Sequence, residues 1–194
     1  MNLIIVDCQY DFCDPNGTLY VPGSEEALKN IEQLLQKPHF SKIIFTVDWH
    51  QVNDNSFTRN GGKWPVHCVQ YSRGASLMPQ LLHCVENIPF SYEVIEKGTI
   101  PGVEEYGAFY RSNKIDDDWN EVSEIQLQTV SNACIVPDEQ FIVCGVAGDY
   151  CVKETLKNLL KYKPIVYTKG IASIDGGKVL KEFIKENNLK EYDY

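Results

Sequence analysis

Five short apolar runs alternate along this chain with segments of helical periodicity, and each run ends at or near a polar residue. The runs comprise residues 3–6, 43–47, 92–95, 141–145 and 165–168. The first run reaches Asp7 without a polar interruption, which is typical of a strand that is covered on both faces. Strands that alternate with helices predict an α/β fold: an open, mostly parallel sheet with helices on both faces.

Three segments between or after these runs predict helices. Ser24 is a favourable N-cap for the first, and acidic residues follow it in the first turn. Apolar residues then recur at helical spacing as far as Leu35, and Pro38 closes the helix. We expect the second helix at 152–162 and the third around 179–186. The acidic stretch 111–137 has weak periodicity, and we expect one helix there without assigning its ends.

Length and charge narrow the class of partner. At 194 residues the chain can bury a substantial core, and no repeat or linker divides it. We therefore expect a single domain over residues 1–194. The net charge of -9 argues against nucleic acid or an anionic membrane as the main partner, because both attract a basic surface. A small molecule is the expected partner.

The lack of a recognisable targeting segment, together with the cysteine usage, predicts a cytoplasmic protein. No apolar run approaches the roughly 20 residues that span a bilayer, and the first residues lack the basic start and apolar stretch of a signal peptide. The seven cysteines form no CxxC pair. We read them as reduced thiols.

Polar residues that can carry chemistry stand where the predicted strands end. Asp7 follows the first strand, Asp48 and His50 follow the second, Lys97 follows the third, and Cys151 comes shortly after the fourth. In open parallel sheets, ligand sites form outside the carboxyl ends of the strands. We therefore expect these side chains to lie close together.

Cys151 is the candidate nucleophile because a segment with two glycines precedes it and a predicted helix follows. The N-terminus of a helix lowers the pKa of a thiol, and its free N–H groups can hold an oxyanion. Asp7 could move the proton and Lys97 could stabilise a thiolate. Each has an ordinary alternative: a buried structural cysteine, a turn-forming aspartate and a solvated loop lysine.

Asp48, His50 and His67 are candidate metal ligands. Carboxylate and imidazole groups suit a borderline-soft divalent cation such as zinc, and three protein ligands would leave positions open for water or substrate. The alternative is a pair of hydrogen-bonded histidines in a polar loop.

Four motifs in order resemble the nicotinamidases of the isochorismatase-like hydrolase superfamily. They are DCQYDF at 7–12, TVDWH at 46–50, WPVHCVQ at 64–70 and GVAGDYCV at 145–152. The resemblance covers roughly residues 3–168 and implies the isochorismatase-like, Rossmann-like three-layer fold.

The resemblance also implies roles for residues. Cys151 would attack the amide carbon of nicotinamide, Asp7 would act as general base and then acid, and Lys97 would polarise the site. The N–H groups of Ala147 and Cys151 would form the oxyanion hole, beside a cis Val146–Ala147 bond. Aromatic residues would wall a pocket for the pyridine ring, and three residues would hold a divalent metal ion, zinc or alternatively iron or manganese. The wall residues are Phe12, Trp64 and Tyr106, and the metal ligands are Asp48, His50 and His67.

The implied products are nicotinate and ammonia, formed through a thioester in the salvage of NAD, with pyrazinamide as a further substrate. A homo-oligomer is left open. Gly148 and Gly107 stand where the family commonly has threonine and serine, and we expect both to loosen the pocket wall. Three alternatives remain: an amidase of the same superfamily for N-carbamoyl or ureido substrates, a catalytically silent metal-holding binding module, and a redox protein that uses its thiols.

Overall fold

A computed structural model describes residues 1–37, 40–86, 91–109 and 140–193 of the chain. In these ranges the six strands of one sheet are β1 Asn2–Val6, β2 Lys42–Asp48, β3 Ser91–Lys97, β4 Phe141–Gly145, β5 Ile165–Ile171 and β6 Lys190–Glu191. The strand order is β3-β2-β1-β4-β5-β6, and every neighbouring pair is parallel. The predicted open parallel sheet is confirmed.

Helices connect most of these strands. They are α1 Tyr10–Cys13, α2 Ser24–Leu35, α3 Pro79–Glu86, α4 Lys153–Asn158 and α5 Lys178–Glu186. Short 3-10 turns occupy Thr58–Asn60 and Leu160–Tyr162, and a π-helical turn occupies Gly148–Val152. None of the helices in the described ranges has the length and apolar character needed to cross a membrane.

The sheet separates two apolar cores because successive side chains of a strand point to opposite faces. In β1, Leu3 and Ile5 pack into the core shared with α2 and α3. Ile4 and Val6 pack into the other core, which α4 and α5 cover. All of β1 is buried, which explains why its sequence is continuously apolar. Helices therefore lie on both faces, as predicted.

The chain reverses its direction of travel across the sheet between β1 and β4. From β1 it moves outward to β2 and β3, and the later strands move outward on the other side from β4 to β5 and β6. In α/β sheets such a switch point opens a crevice at the carboxyl ends of the two central strands. Asp7 follows β1 and Cys151 follows β4, so both lie at this crevice.

Local details differ from the sequence predictions. Gly23, with φ 89°, occupies the N-cap of α2, and Ser24 is the first helical residue. The Ser24 side chain is buried, and its hydroxyl donates to the carbonyl of Val21 at 2.5 Å. The helix predicted at 152–162 begins earlier, with the π-helical turn at Gly148, and breaks after Asn158. The elements α1, α3 and β6 were not predicted, and Pro38 and the stretch 111–137 lie outside the described residues.

Candidate active site

Asp7 is held at the end of β1 by contacts with the neighbouring strand β2. Its N–H donates to the Thr46 carbonyl at 3.0 Å, and the Thr46 hydroxyl donates to Asp7 Oδ1 at 2.6 Å. The backbone turns sharply here, with φ 48° at Asp7. Aspartate tolerates this left-handed region better than most residues. The carboxylate is fully buried, and its second oxygen, Oδ2, faces the ammonium group of Lys97.

Lys97, the last residue of β3, connects the other groups. Its Nζ lies 2.8 Å from Asp7 Oδ2 and donates to Cys151 Sγ at 3.5 Å. It also donates a hydrogen bond to Asp48 Oδ1. Lys97 is 2% exposed, so its charge is neutralised by these neighbours and not by solvent. The structure thus brings together the three residues that the sequence suggested as a catalytic set.

Cys151 lies inside the π-helical turn that follows β4. The N–H groups of Tyr150 and Val152 each donate to the Ala147 carbonyl at 3.1 Å, so the turn wraps around Ala147. The Val146–Ala147 peptide bond is cis, as expected from the resemblance. Ala147 and Cys151 both line the same pocket.

Burial decides the protonation of the nucleophile. Burial raises the pKa of the Cys151 thiol well above its usual value; Lys97 opposes this rise, and the neighbouring carboxylates of Asp7 and Asp48 add to it. The sequence-based expectation of a lowered pKa for the Cys151 thiol is therefore wrong. Burial also raises the pKa of Asp7, although Lys97 opposes it. A carboxylate of raised pKa beside a neutral thiol is suited to take the thiol proton.

The three candidate metal ligands converge beside this catalytic set. Asp48 Oδ2 lies 3.7 Å from His50 Nε2 and 3.8 Å from His67 Nε2, and one ligand atom of each residue lies within 4.8 Å of the others. All three side chains are buried. A carboxylate with two imidazoles is a suitable donor set for a divalent metal ion, so these residues fit the metal that the resemblance implies.

The outer nitrogen of each histidine is fixed by a further contact. His50 Nδ1 lies 3.1 Å from Asp54 Oδ2, and His67 Nδ1 lies 2.7 Å from the Pro65 carbonyl oxygen. These contacts favour a proton on Nδ1 and leave Nε2 directed at Asp48. Burial lowers the pKa of His50, but Asp48 and Asp54 together raise it to about 10. The carboxylates of Asp48 and Asp54 beside the His50 imidazole favour the binding of a cation at this position.

A pocket of about 370 Å³, counting its open mouth, leads to Cys151. Its lining residues are Phe12, Leu19, Val21, Asp48, Trp64, His67, Glu104, Tyr106, Ala147, Tyr150, Cys151 and Ile174. The three aromatic residues expected from the sequence are among them. The Trp64 indole N–H donates to the Tyr106 hydroxyl at 3.0 Å, and the Phe12 and His67 ring centroids are 5.5 Å apart. The aromatic lining suits a small flat ring compound.

Sequence reasoning missed several residues of this site. Tyr150 completes the aromatic wall, with ring centroids 5.1 Å from Trp64 and 5.5 Å from Tyr106. Its position directly before Cys151 could have suggested it. Asp54, four residues after His50, could have been found from its spacing. Glu104 is a pocket carboxyl whose pKa burial raises, and no local sequence pattern marks it.

Gly148 and Gly107 do not loosen the pocket wall, and that expectation is wrong. Neither residue lines the pocket. A methyl group added to Gly148 would run into Ser173 Oγ, and one added to Gly107 would run into Asn158 Oδ1. The space that a larger residue would occupy is therefore already filled by neighbouring side chains.

Known proteins resemble the chain over most of its length. A family model described as the isochorismatase domain matches residues 1–90. A nicotinamidase of Saccharomyces cerevisiae is 32% identical, with 98% of each chain covered.

Solved structures resemble it in fold as well. The PnC1 protein of L. infantum, solved in complex with nicotinate, superimposes with a TM-score of 0.81 at 28% identity and covers 99% of this chain and 91% of its own. A pyrazinamidase of Pyrococcus horikoshii, solved in complex with zinc, gives a TM-score of 0.75 at 29% identity, with 100% of this chain and 98% of its own covered.

Proposed function

The chain belongs to the nicotinamidase family of isochorismatase-domain proteins, and on this basis we propose that it hydrolyses nicotinamide to nicotinate and ammonia. The observation that carries the proposal is the contact of Lys97 with both Asp7 and Cys151, the last of which lines an aromatic pocket. This arrangement supplies a nucleophile, a proton acceptor and a fixed positive charge around one reacting carbon.

The reaction begins with transfer of the Cys151 proton to Asp7 as the sulfur attacks the amide carbon. The carbonyl π electrons move to oxygen, and the N–H groups of Ala147 and Cys151 are proposed to stabilise that oxyanion. When the intermediate collapses, the carbon–nitrogen bond breaks and Asp7 returns its proton to the leaving nitrogen. Ammonia departs and a thioester remains on Cys151.

Hydrolysis of the thioester uses the same groups. Asp7 takes a proton from a water molecule, and the water oxygen attacks the thioester carbon. Collapse breaks the carbon–sulfur bond and releases the acid, and Asp7 returns the proton to the sulfur. Lys97 stays charged throughout, since burial alone would lower its pKa but Asp48 and Asp7 raise it well above its usual value. Its fixed charge stabilises the thiolate as the carbon–sulfur bond breaks.

Asp48, His50 and His67 would hold a divalent metal ion, for which we propose zinc. When bound, the ion supplies a Lewis acid that can take the ring nitrogen of nicotinamide and so orient the ring. The chain's own contribution is to fix the donors: Gln9 binds the Asp48 backbone through its amide group, with Nε2 2.7 Å from the carbonyl oxygen and Oε1 2.7 Å from the N–H. Iron or manganese would suit the same donors.

The aromatic wall supports a flat ring as the substrate. Phe12, Trp64 and Tyr106 offer ring faces and edges, and enclosure of a heteroaromatic ring between them is favourable. Pyrazinamide has the same shape and is proposed as a second substrate. We also propose that residues 1–194 act as one domain in the cytoplasm, in NAD salvage. The free thiols of all described cysteines support that location.

The test is release of ammonia and nicotinate from nicotinamide by the purified, zinc-loaded protein. We expect release by wild type and none from Cys151→Ala or from protein treated with a chelator, with recovery of the chelated sample on adding zinc. If wild type loaded with zinc, iron or manganese releases no ammonia, the proposal is wrong. An N-carbamoyl amide tested in parallel would then distinguish a different amidase from a silent binding module.

A further inference from the structure

Lys63 lies on the solvent side of the aromatic wall and contacts two of its rings. Its Nζ lies 4.6 Å from the Trp64 ring centroid and 4.9 Å from the Tyr150 ring centroid. It also donates a hydrogen bond to the Tyr150 hydroxyl at 3.2 Å. Lys63 itself is exposed, whereas Trp64 and Tyr150 line the pocket.

The two rings come from distant parts of the chain. Trp64 follows the 3-10 turn Thr58–Asn60, and Tyr150 belongs to the π-helical turn that carries Cys151. The rings meet edge to face, with an interplanar angle of 83°. Lys63 therefore contacts both of the separate chain segments that meet in this part of the pocket wall.

The contacts of Lys63 differ from those of an ordinary surface lysine. Within the described ranges no carboxylate pairs with it, so its charge is directed at the rings and the hydroxyl. One cation over one ring at an exposed site has a small effect. Two rings and a hydrogen bond to the same ammonium group restrict the wall more strongly, because the rings cannot move apart without Lys63 losing its contacts with at least one of them.

We propose that Lys63 is a specificity-determining positioning residue, which fastens Trp64 to Tyr150 and so limits the width of ring that the pocket accepts. The inference rests on the proposed hydrolysis of nicotinamide. Without Lys63 the two rings are freer, and a substrate must order them when it binds, which weakens binding. The groups that perform the chemistry, Asp7, Lys97 and Cys151, do not contact Lys63, so the chemical step is little affected.

The test compares Lys63→Met, which keeps most of the stem and removes the charge, with Lys63→Arg, which keeps a cation. Lys161→Met is the matched control, because Lys161 is also exposed and lies 4.9 Å from the centroid of the Tyr162 ring, which does not line the pocket. The substrates are nicotinamide and a bromo-substituted nicotinamide.

We expect Lys63→Met to raise KM for nicotinamide about fivefold with kcat changed less than twofold, in line with the loss of two weak cation–ring contacts. The preference for nicotinamide over the bromo compound, measured by kcat/KM, should fall by a similar factor. Lys63→Arg should restore both, and Lys161→Met should change neither. A Lys63→Met protein with wild-type KM and wild-type preference would overturn the inference, as would an equal change in Lys161→Met.

Calorimetric binding of nicotinamide to zinc-loaded Cys151→Ala separates the two proposals, since no turnover occurs. If that protein binds no nicotinamide, the proposed substrate is wrong, and the inference fails with it. If it binds nicotinamide equally well with and without Lys63→Met, the inference alone is wrong.

Discussion

Lys97 donates a hydrogen bond to Oδ1 of Asp48, the carboxylate whose other oxygen faces the imidazoles of the metal site. The Asp48 carboxylate thus belongs both to the metal site and to the catalytic group around Lys97. Burial would raise the pKa of Asp48, but Lys97 and the two histidines hold it well below its usual value. Because Lys97 also lies beside Asp7, a single buried ammonium group contacts two buried carboxylates.

Removal of the Lys97 charge should cost both activity and stability. Lys97→Met removes the buried ammonium group that lies beside both Asp7 and Asp48, and we expect a loss of about 3–5 kcal/mol in the free energy of unfolding. Turnover of nicotinamide should fall at least about a thousandfold, since the transition state loses a fixed charge. Urea unfolding and ammonia release measure the two effects.

The double variant Asp7→Asn/Lys97→Met is the control for this prediction. It removes one of the two buried carboxylates, so we expect it to recover part of the lost stability but none of the activity. Stability equal to wild type in Lys97→Met alone would contradict a stabilising role of Lys97 between these two carboxylates.

The pH profile of kcat/KM should report the raised pKa of Asp7. Asp7 must be a carboxylate to accept the thiol proton, so activity declines as the pH falls through its pKa. Because burial raises that pKa, the midpoint should lie above 3.8, the usual aspartate value. Metal content has to be measured at each pH, since loss of the ion would also lower activity. A midpoint at or below 3.8 with metal retained would contradict the role of Asp7.

The fold and the location of the site could be predicted because they depend on local pattern. The buried strands are continuous apolar runs, and the residues after them, Asp7, Asp48 and Lys97, meet because parallel strands end at one edge. The protonation of Cys151 could not be predicted in this way. A local pattern indicates a helix N-terminus, but the degree of burial depends on the whole fold, and burial raises the thiol pKa.

Asp54 should tune metal affinity although it is not a proposed ligand. Its carboxylate fixes the outer nitrogen of His50, and loss of such a contact typically weakens metal binding about 10- to 100-fold. We expect Asp54→Ala to bind zinc more weakly by this factor in a chelator competition and to regain turnover in excess zinc. His83→Gln is the control, because the His83 side chain is 75% exposed and lies on α3. Equal zinc affinity in Asp54→Ala and wild type would contradict the prediction.

Substitution of Gly148 tests whether neighbouring side chains already fill the space beside it. Gly148→Ala should lower the free energy of unfolding by about 1–3 kcal/mol, because its methyl group would run into Ser173 Oγ. The same change made in a Ser173→Gly background should cost less, which thermal or urea unfolding can measure as a coupling. Equal costs in both backgrounds would mean that Ser173 does not fill this space.

Features that depend on distant parts of the chain escaped sequence reasoning. Tyr150 meets Trp64, and Ser173 fills the space beside Gly148, only because loops from different strands converge at the crevice. The short strand β6 has two exposed residues and no apolar pattern, so nothing in its sequence marks it. Such contacts follow from the tertiary arrangement and not from local periodicity.

The central claim, that Cys151 is the nucleophile, is tested most directly by trapping the thioester. Zinc-loaded protein in turnover with nicotinamide is quenched in acid, digested and examined by mass spectrometry. We expect a nicotinoyl group on the peptide that contains Cys151, absent when nicotinamide is omitted, and no turnover by Cys151→Ala. A nicotinoyl group on another cysteine, or continued turnover by Cys151→Ala, would contradict the account.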